Sequence, residues 1–141
     1  MNRILVVEDD PQLQLLYRSV LERAGFSVIT ALNGEDALKK LEAIRIELII
    51  TDIMMPKMDG WQVCREVRET SKVPIIMLTA RSEERDELQG FELGVDEYIS
   101  KPFSPKILVA RVNAIFAELL ERSAMIRWRQ AVLPLTSQHI S

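Results

Sequence analysis

The stretch Ile4-Leu5-Val6-Val7-Glu8-Asp9-Asp10-Pro11 joins a short unbroken apolar run to three acids and a proline. Four apolar residues in a row suit a strand buried on both faces, as in a parallel sheet covered by helices. Pro11 suits a first helical turn. Beyond it Leu13, Leu16, Tyr17, Val20, Leu21 and Ala24 recur at helical spacing, up to a glycine at the helix end, Gly25. The unit is therefore strand, acidic loop, helix.

The unit repeats along the chain. Ser27-Val28-Ile29-Thr30-Ala31 reads as a second strand, and Asn33 caps a helix carrying Ala37, Leu38 and Leu41. Leu48-Ile49-Ile50-Thr51 is a third strand ending at Asp52, and after Asp59-Gly60 a helix carries Val63, Cys64 and Val67. Pro74-Ile75-Ile76-Met77-Leu78-Thr79 is a fourth strand with proline at its first position, where a missing donor is tolerated. A polar helix is expected over residues 82–93, with Leu88 and Phe91 facing inward and Gly94 stopping it. Tyr98-Ile99-Ser100 is a short last strand, and a long helix starts after Pro102-Phe103-Ser104-Pro105. Five strand–helix units imply parallel strands, right-handed crossovers and helices on both faces of one sheet.

The 141 residues, 48% apolar and 28% charged, allow one domain with a sizeable core. The net charge of −3 argues against non-specific nucleic-acid binding by this chain. No apolar run approaches a membrane span, and no cleavable signal pattern follows Met1, so a cytoplasmic address is expected. Cys64 is the only cysteine, which precludes an internal disulfide and reads as a helix packing residue.

Sheets of this kind bind ligands beyond the carboxyl ends of their strands. Strand one ends in Glu8-Asp9-Asp10, strand three in Asp52, strand four in Thr79, and strand five runs through Ser100 into Lys101. Each residue alone reads as an ordinary strand-end or surface group. Together, several carboxylates, a hydroxyl and an ammonium converge on one edge. Close ionised carboxylates require a cation between them, and an all-oxygen set with room for waters suits Mg²⁺. A carboxylate nucleophile attacks phosphorus only where the charge of the transferring group is neutralised.

The motifs Val6-Val7-Glu8-Asp9-Asp10, Asp52-Ile53-Met54-Met55-Pro56-Lys57-Met58-Asp59-Gly60, Leu78-Thr79-Ala80 and Tyr98-Ile99-Ser100-Lys101-Pro102-Phe103 carry a family resemblance. From Asn2 to about Leu120 the chain resembles the receiver domain of bacterial two-component response regulators. The resemblance implies a flavodoxin-like, doubly wound five-stranded parallel sheet of order 2-1-3-4-5. It implies that Asp52 is phosphorylated by a partner histidine kinase. Mg²⁺ would be held by Glu8, Asp9, Asp52 and the backbone carbonyl of Met54, with Asp10 just outside that shell. Thr79 and Lys101 would contact the phosphoryl group, and Thr79 and Tyr98 would form a switch pair altering the surface of the fourth helix, fifth strand and fifth helix. A cis Lys101-Pro102 bond is also implied. Arg81 and Met54 flank the site. The chain would assist only its own phosphorylation and dephosphorylation rather than act as an enzyme on other substrates. Kinase pairing would involve Gln12, Gln14, Leu15, Arg18, Phe103 and Ser104.

The segment from Lys101 to Arg111 resembles the class whose receivers precede a winged-helix DNA-binding domain, so the output is expected to be transcription through a domain not in this chain. Receivers of that class form homodimers through helix four, strand five and helix five. Asp96 and Arg111 match one of their charge pairs. Glu87 and Gln89 stand where a base is usual, Ile107 where an acid is usual, and Glu118 replaces a base. The missing pairs lose both members, so the dimer is expected with altered specificity.

A receiver over 1–120 is expected to be followed by a helical extension and flexible tail over 121–141. The extension stays helix-compatible to about Gln130 and is expected to end at Leu133-Pro134-Leu135. Val112, Leu119, Ile126 and Leu133 recur every seven residues, but the companion seam through Arg122 or Ser123 and Arg129 is polar, so that pattern is no coiled coil. His139 reads as a bystander. The alternative reading is an Mg²⁺-dependent aspartyl-phosphate phosphohydrolase. Enzymes resembling the haloacid dehalogenase group carry an Asp-x-Asp nucleophile after strand one and a cap insertion, and neither is present in Glu8-Asp9-Asp10-Pro11. A flavin or nucleotide binder would want a phosphate loop there, where three acids repel phosphate.

Overall fold

The computed structural model describes residues 2–55, 58–80 and 94–140, with side chains as far as 132. Five parallel strands, β1 (Arg3–Val7), β2 (Ser27–Ala31), β3 (Leu48–Asp52), β4 (Ile75–Thr79) and β5 (Glu97–Ser100), form one sheet of order β2-β1-β3-β4-β5. Three helices, α1 (Pro11–Arg23), α2 (Gly34–Ala43) and α3 (Gly60–Thr70), connect the first four strands. The order and class are those expected from the sequence. The expected helix over 82–93, with Arg81, Glu87, Leu88, Gln89 and Phe91, lies outside the described residues, as do Pro56 and Lys57.

Burial follows from topology. β3 and β4 are buried at every position, β1 at all but Arg3, while the outer strands β2 and β5 are only partly covered. On one face Leu5, Val7, Ile49, Ile75 and Met77 pack with Ala37 of α2 and Trp61, Val63, Cys64 and Val67 of α3. Residues of opposite parity, Ile4, Val6, Leu48, Ile50, Ile76 and Leu78, are equally buried and point to the other face. Right-handed crossovers put α1, with its buried Tyr17 and Leu21, on that second face, because the chain reverses direction across the sheet after β2.

The helix ends are built locally. The Asp10 side chain caps α1 by accepting from Gln12 N at 2.9 Å, and Pro11 takes the first turn. Asn33 caps α2 through Asp36 N at 2.8 Å. Asp59 and Gln62 form a reciprocal capping box on α3, at 2.9 and 3.1 Å. Gly25, past the end of α1, has φ of 98°, a left-handed conformation that costs glycine nothing.

The chain divides into two compact units, Met1–Val109 and Ala110–Ser141. The second lies within a helix running from Pro105 to Ile140. The helix thus runs on past the end expected at Leu133-Pro134-Leu135. Proline removes one donor and crowds the carbonyl four residues back, at a cost of about 3 kcal/mol, but its fixed φ is itself helical, so the backbone continues. No described helix is long and apolar enough to cross a membrane.

Gly60 ties this framework to the end of β3. A Cβ there would stand 2.5 Å from the Asp52 carbonyl oxygen and 2.9 Å from Met77 Sδ, while Gly60 N donates to the Ile53 carbonyl at 3.0 Å. The clash is with backbone and cannot be relieved by a rotamer change. Gly60→Ala is therefore expected to destabilise the fold by about 2 kcal/mol or more in urea unfolding, as overpacking does. An unchanged midpoint would show that α3 can shift away from β3 without loss.

Candidate functional site

The strand order reverses between β1 and β3, and the crevice at such a switch point is where ligands bind in sheets of this type. β1 delivers Glu8 and Asp9 to this crevice and β3 delivers Asp52. β4 and β5 pair Thr79 with Ser100, which brings Thr79 and Lys101 to the same edge.

Glu8 is 1% exposed, and Asp52 and Thr79 are also buried. The Lys101 ammonium lies between the two carboxylates. It hydrogen-bonds Asp52 Oδ2 and stands 3.7 Å from Glu8 Oε1. Asp52 Oδ1 accepts from the backbone N–H of Met54 at 3.0 Å, so both oxygens of this carboxylate are held. Glu8 Oε2 accepts from Asp9 N at 3.0 Å, whereas Glu8 Oε1 is buried with no hydrogen-bond donor.

Burial, then the negative charge of Asp52, push the Glu8 carboxyl up to about 7, against the opposing pull of Lys101. Burial would lower the Lys101 ammonium, but its hydrogen bond to Asp52 and the charges of Asp52 and Glu8 hold it above its ordinary value. One ammonium thus serves two carboxylates and fully satisfies only one. Among the described residues no three His, Cys, Asp or Glu side chains form a ready metal cage. The exposed Asp9 engages Glu8 through its backbone N–H. The donors around the crevice are oxygens, and the orphaned Glu8 Oε1 is a buried acceptor in need of a cation. That chemistry fits a hard divalent ion.

The Thr79 carbonyl accepts from Lys101 N at 2.6 Å, linking the two through backbone. The Lys101-Pro102 bond is cis, as the sequence led us to expect. Tyr98 is half-buried, its ring centroid 6.1 Å from that of Trp61 on α3. Met54 points its side chain to solvent at 75% exposure.

Asp10 caps α1. Gln14 donates its amide to the Glu8 and Ala31 carbonyls, both at 3.2 Å, bracing the ends of β1 and β2. Arg68 was not singled out by sequence. Its guanidinium donates to the carbonyls of Ser71, Val73 and Gly94 and to Asp96 Oδ2, which also accepts from Ile75 N at 2.9 Å. A basic residue before a loop signals nothing until the loop closes over it. Of the residues expected to set kinase pairing, Gln12, Leu15, Arg18 and Ser104 are exposed, and Phe103 stacks on Tyr17 with centroids 5.9 Å apart. That stack lines an apolar groove of about 240 Å³ between α1 and the segment after β5, with Lys101 at its edge. A larger cleft of about 530 Å³ lies at the C-terminal turns of α2 and α3 and holds none of the strand-end acids.

The family model described as the response regulator receiver domain matches residues 4–113. Over 115 residues the chain is 50% identical to the alkaline phosphatase synthesis transcriptional regulatory protein PhoP of Bacillus subtilis, covering 81% of this chain and 48% of that protein. It is 43% identical to the transcriptional regulatory protein ResD of the same organism, covering 99% of this chain and 58% of ResD. The chain thus spans about half the length of these curated relatives. A two-component response regulator from Clostridium difficile superposes with a TM-score of 0.81 at 30% identity, covering 84% of this chain and 98% of that one. The response regulator TrrA of Thermotoga maritima, in complex with Mg²⁺-BeF, gives 0.73 at 39% identity over 81% of this chain and 98% of its own.

The raised Glu8 carboxyl has a sign that can be measured. A folded-state value above the ordinary one means that the folded protein binds more protons than the unfolded chain between about 4.5 and 7, so stability falls as pH rises through that window. In chelator, Glu8→Gln is expected to gain about 1–2 kcal/mol on the parent between pH 5 and pH 8 in urea unfolding. A difference independent of pH would mean that Lys101 already neutralises the carboxylate.

Proposed function

The chain belongs to the response regulator receiver domain family, and from that membership we propose that Asp52 is its phosphoacceptor and that a sensor histidine kinase is the donor. The observation that carries the reading is the buried Asp52 carboxylate held on one oxygen by Met54 N and on the other by Lys101, in the crevice between β1 and β3. In the transfer an Asp52 oxygen attacks phosphorus. The P–O bond forms as the phosphorus–nitrogen bond to the kinase histidine breaks. The Met54 N–H orients the carboxylate, and Lys101 balances the charge that the phosphoryl group adds, which is the main task in such a transfer.

Glu8, Asp9, Asp52 and the Met54 carbonyl would hold Mg²⁺, which supplies charge neutralisation for the phosphoryl oxygens when bound. Its support here is the orphaned Glu8 Oε1 and the Mg²⁺-BeF complex of the Thermotoga maritima relative. Thr79 would donate to a phosphoryl oxygen, drawing it toward Asp52, and Tyr98 would respond against Trp61. This is a two-state element biased by a local charge event. The receiver would span residues 1–120, with 121–141 as an extension.

Because the curated relatives are transcriptional regulators about twice as long, the output assigned to this receiver is transcription through a further domain. The homodimer through helix four, β5 and the C-terminal helix belongs to the same proposal. Its Asp96 carboxylate is already engaged by Arg68, so an intermolecular pair with Arg111 would have to compete for it.

Intact mass after incubation with acetyl phosphate and Mg²⁺ tests the central step. One phosphoryl adduct is expected on the parent, and none on Asp52→Asn or in chelator. An adduct that persists on Asp52→Asn would overturn the assignment. Thr79→Ala is expected to keep the adduct and lose the change in Tyr98 environment that phosphorylation brings, read by tryptophan and tyrosine fluorescence. A full response in that variant would dismiss the coupling.

A further inference from the structure

Lys101 has to hold its ammonium between Asp52 and Glu8 from a strand at the edge of the sheet. Its backbone is fixed on one side, where its N–H donates to the Thr79 carbonyl at 2.6 Å. Its flexible four-carbon stem is gripped by acceptors only at the tip. The remaining constraint on the stem is the wall beside it. Lys101, Pro102 and Phe103 line the apolar groove together with Leu13, Tyr17 and Val20 of α1. Tyr17 is 5% exposed, and its ring stacks on that of Phe103 with 20° between the planes. A near-parallel pair with centroids 5.9 Å apart is an offset stack, which adds to the area it buries. Among the described residues the Tyr17 hydroxyl makes no hydrogen bond, so the ring is the engaged part of this side chain. Burial raises the phenol above its ordinary value against the pull of Lys101, and the charges of Glu8, Asp52 and Asp10 add to the rise. The phenol therefore lies on the crevice side of the groove.

We propose that Tyr17 is a positioning residue for the transfer to Asp52, its stack on Phe103 fixing the segment that leaves Lys101 and so the path of the lysine stem. The inference rests on the reading of Asp52 as phosphoacceptor with Lys101 as its charge partner. Lys101 is then held on both sides along the backbone, by Thr79 at its own N–H and by the ring pair two residues later. An ammonium free to swing out of the crevice offers an incoming phosphoryl group only part of its charge. A held one offers all of it at a fixed place, which is what electrostatic stabilisation of the transfer requires. A leucine in place of Tyr17 fills part of the groove without making the stack, whereas a phenylalanine makes it.

The first test needs no phosphorylation. In chelator, the Lys101 ammonium of the full chain is read by proton–nitrogen NMR, with Lys101→Ala identifying its signal. A slowly exchanging signal is expected in the parent and in the conservative variant Tyr17→Phe, and its broadening or loss in Tyr17→Leu and Phe103→Leu. The second test follows adduct formation from acetyl phosphate and Mg²⁺, a donor that brings no docking surface. Tyr17→Leu and Phe103→Leu are expected to slow it by about tenfold at saturating Mg²⁺, with Tyr17→Phe close to the parent. Added to Lys101→Ala, Tyr17→Leu costs no further rate, because side chains that act as one unit are not additive. A loss that adds in full there belongs to the fold at large and overturns the proposal. So does an ammonium signal as sharp in Tyr17→Leu as in the parent, its absence from the parent, or a Tyr17→Phe as slow as Tyr17→Leu. The expected signals without any adduct on the parent would uphold the positioning and dismiss Asp52 as the acceptor.

Discussion

Two carboxylates buried at the end of a sheet, with one ammonium between them, set the terms for the rest of this molecule. An ionised carboxylate removed from water is tolerated only when paired, and breaking such a pair by removing one partner is far more costly than the pair itself is worth. Lys101 is therefore needed where Glu8 and Asp52 meet, although it follows the edge strand β5, two strands away from β3. Every element between contributes to that arrival. β4 is buried throughout and carries β5, and the Thr79 carbonyl takes the Lys101 N–H at 2.6 Å, so the lysine backbone is anchored before its side chain crosses the crevice. The long flexible stem of lysine suits this reach, and its compact charge can serve two carboxylates without the planar geometry arginine demands.

The balance is incomplete, and that incompleteness gives the site its chemistry. Asp52 has a donor on each oxygen, whereas Glu8 has one oxygen with none. The Glu8 carboxyl rises toward neutral pH because burial, then the negative charge of Asp52, outweigh the opposing pull of the single ammonium. A structure seeking only stability would place an apolar residue at position 8, as the four residues before it do. Retaining a carboxylate there keeps a demand for positive charge beside the Asp52 carboxylate. The proposed phosphoryl transfer needs that combination, since the incoming group brings more negative charge to the same crevice.

What the sequence made legible was whatever its local pattern encodes. The apolar runs ending at Val7, Thr51 and Thr79 gave the strands, and the acids and lysine beyond them gave the edge on which the site lies. The cap at Asn33 was visible for the same reason, because a cap acts within three residues. Less legible were contacts closed by tertiary structure. Arg68 gathers carbonyls from Ser71, Val73 and Gly94, and nothing near residue 68 announces the last of these. Gln14 was expected to take part in kinase pairing, and its amide also braces two strand ends, a role that exists only once β1 and β2 are side by side. Asp10 could have been read as a cap from the proline that follows it, but two acids beside it made a metal-shell neighbour the more salient role. Pro134 signals a helix end through its missing donor, yet it lies within the helix that runs to Ile140.

The same wiring explains how an event at Asp52 could be felt at Tyr98 without a long path. From the end of β3 one route runs through Gly60, which donates to Ile53 and opens α3, to Trp61 at its second position and so to the ring of Tyr98. A second runs from the Asp52 carboxylate through the Lys101 side chain to its backbone, then to Thr79 by a hydrogen bond and to β5 by chain connectivity. Both routes end within one residue pair at the edge of the sheet, Trp61 and Tyr98. A charge added between β1 and β3 would change the balance on Lys101, whose backbone N–H is bonded to the Thr79 carbonyl. Trp61 is buried and Tyr98 only partly so, which leaves the Tyr98 side of the pair toward the surface. In the proposed switch, a close-packed interior that deforms little would pass a local charge change on to the partly covered edge.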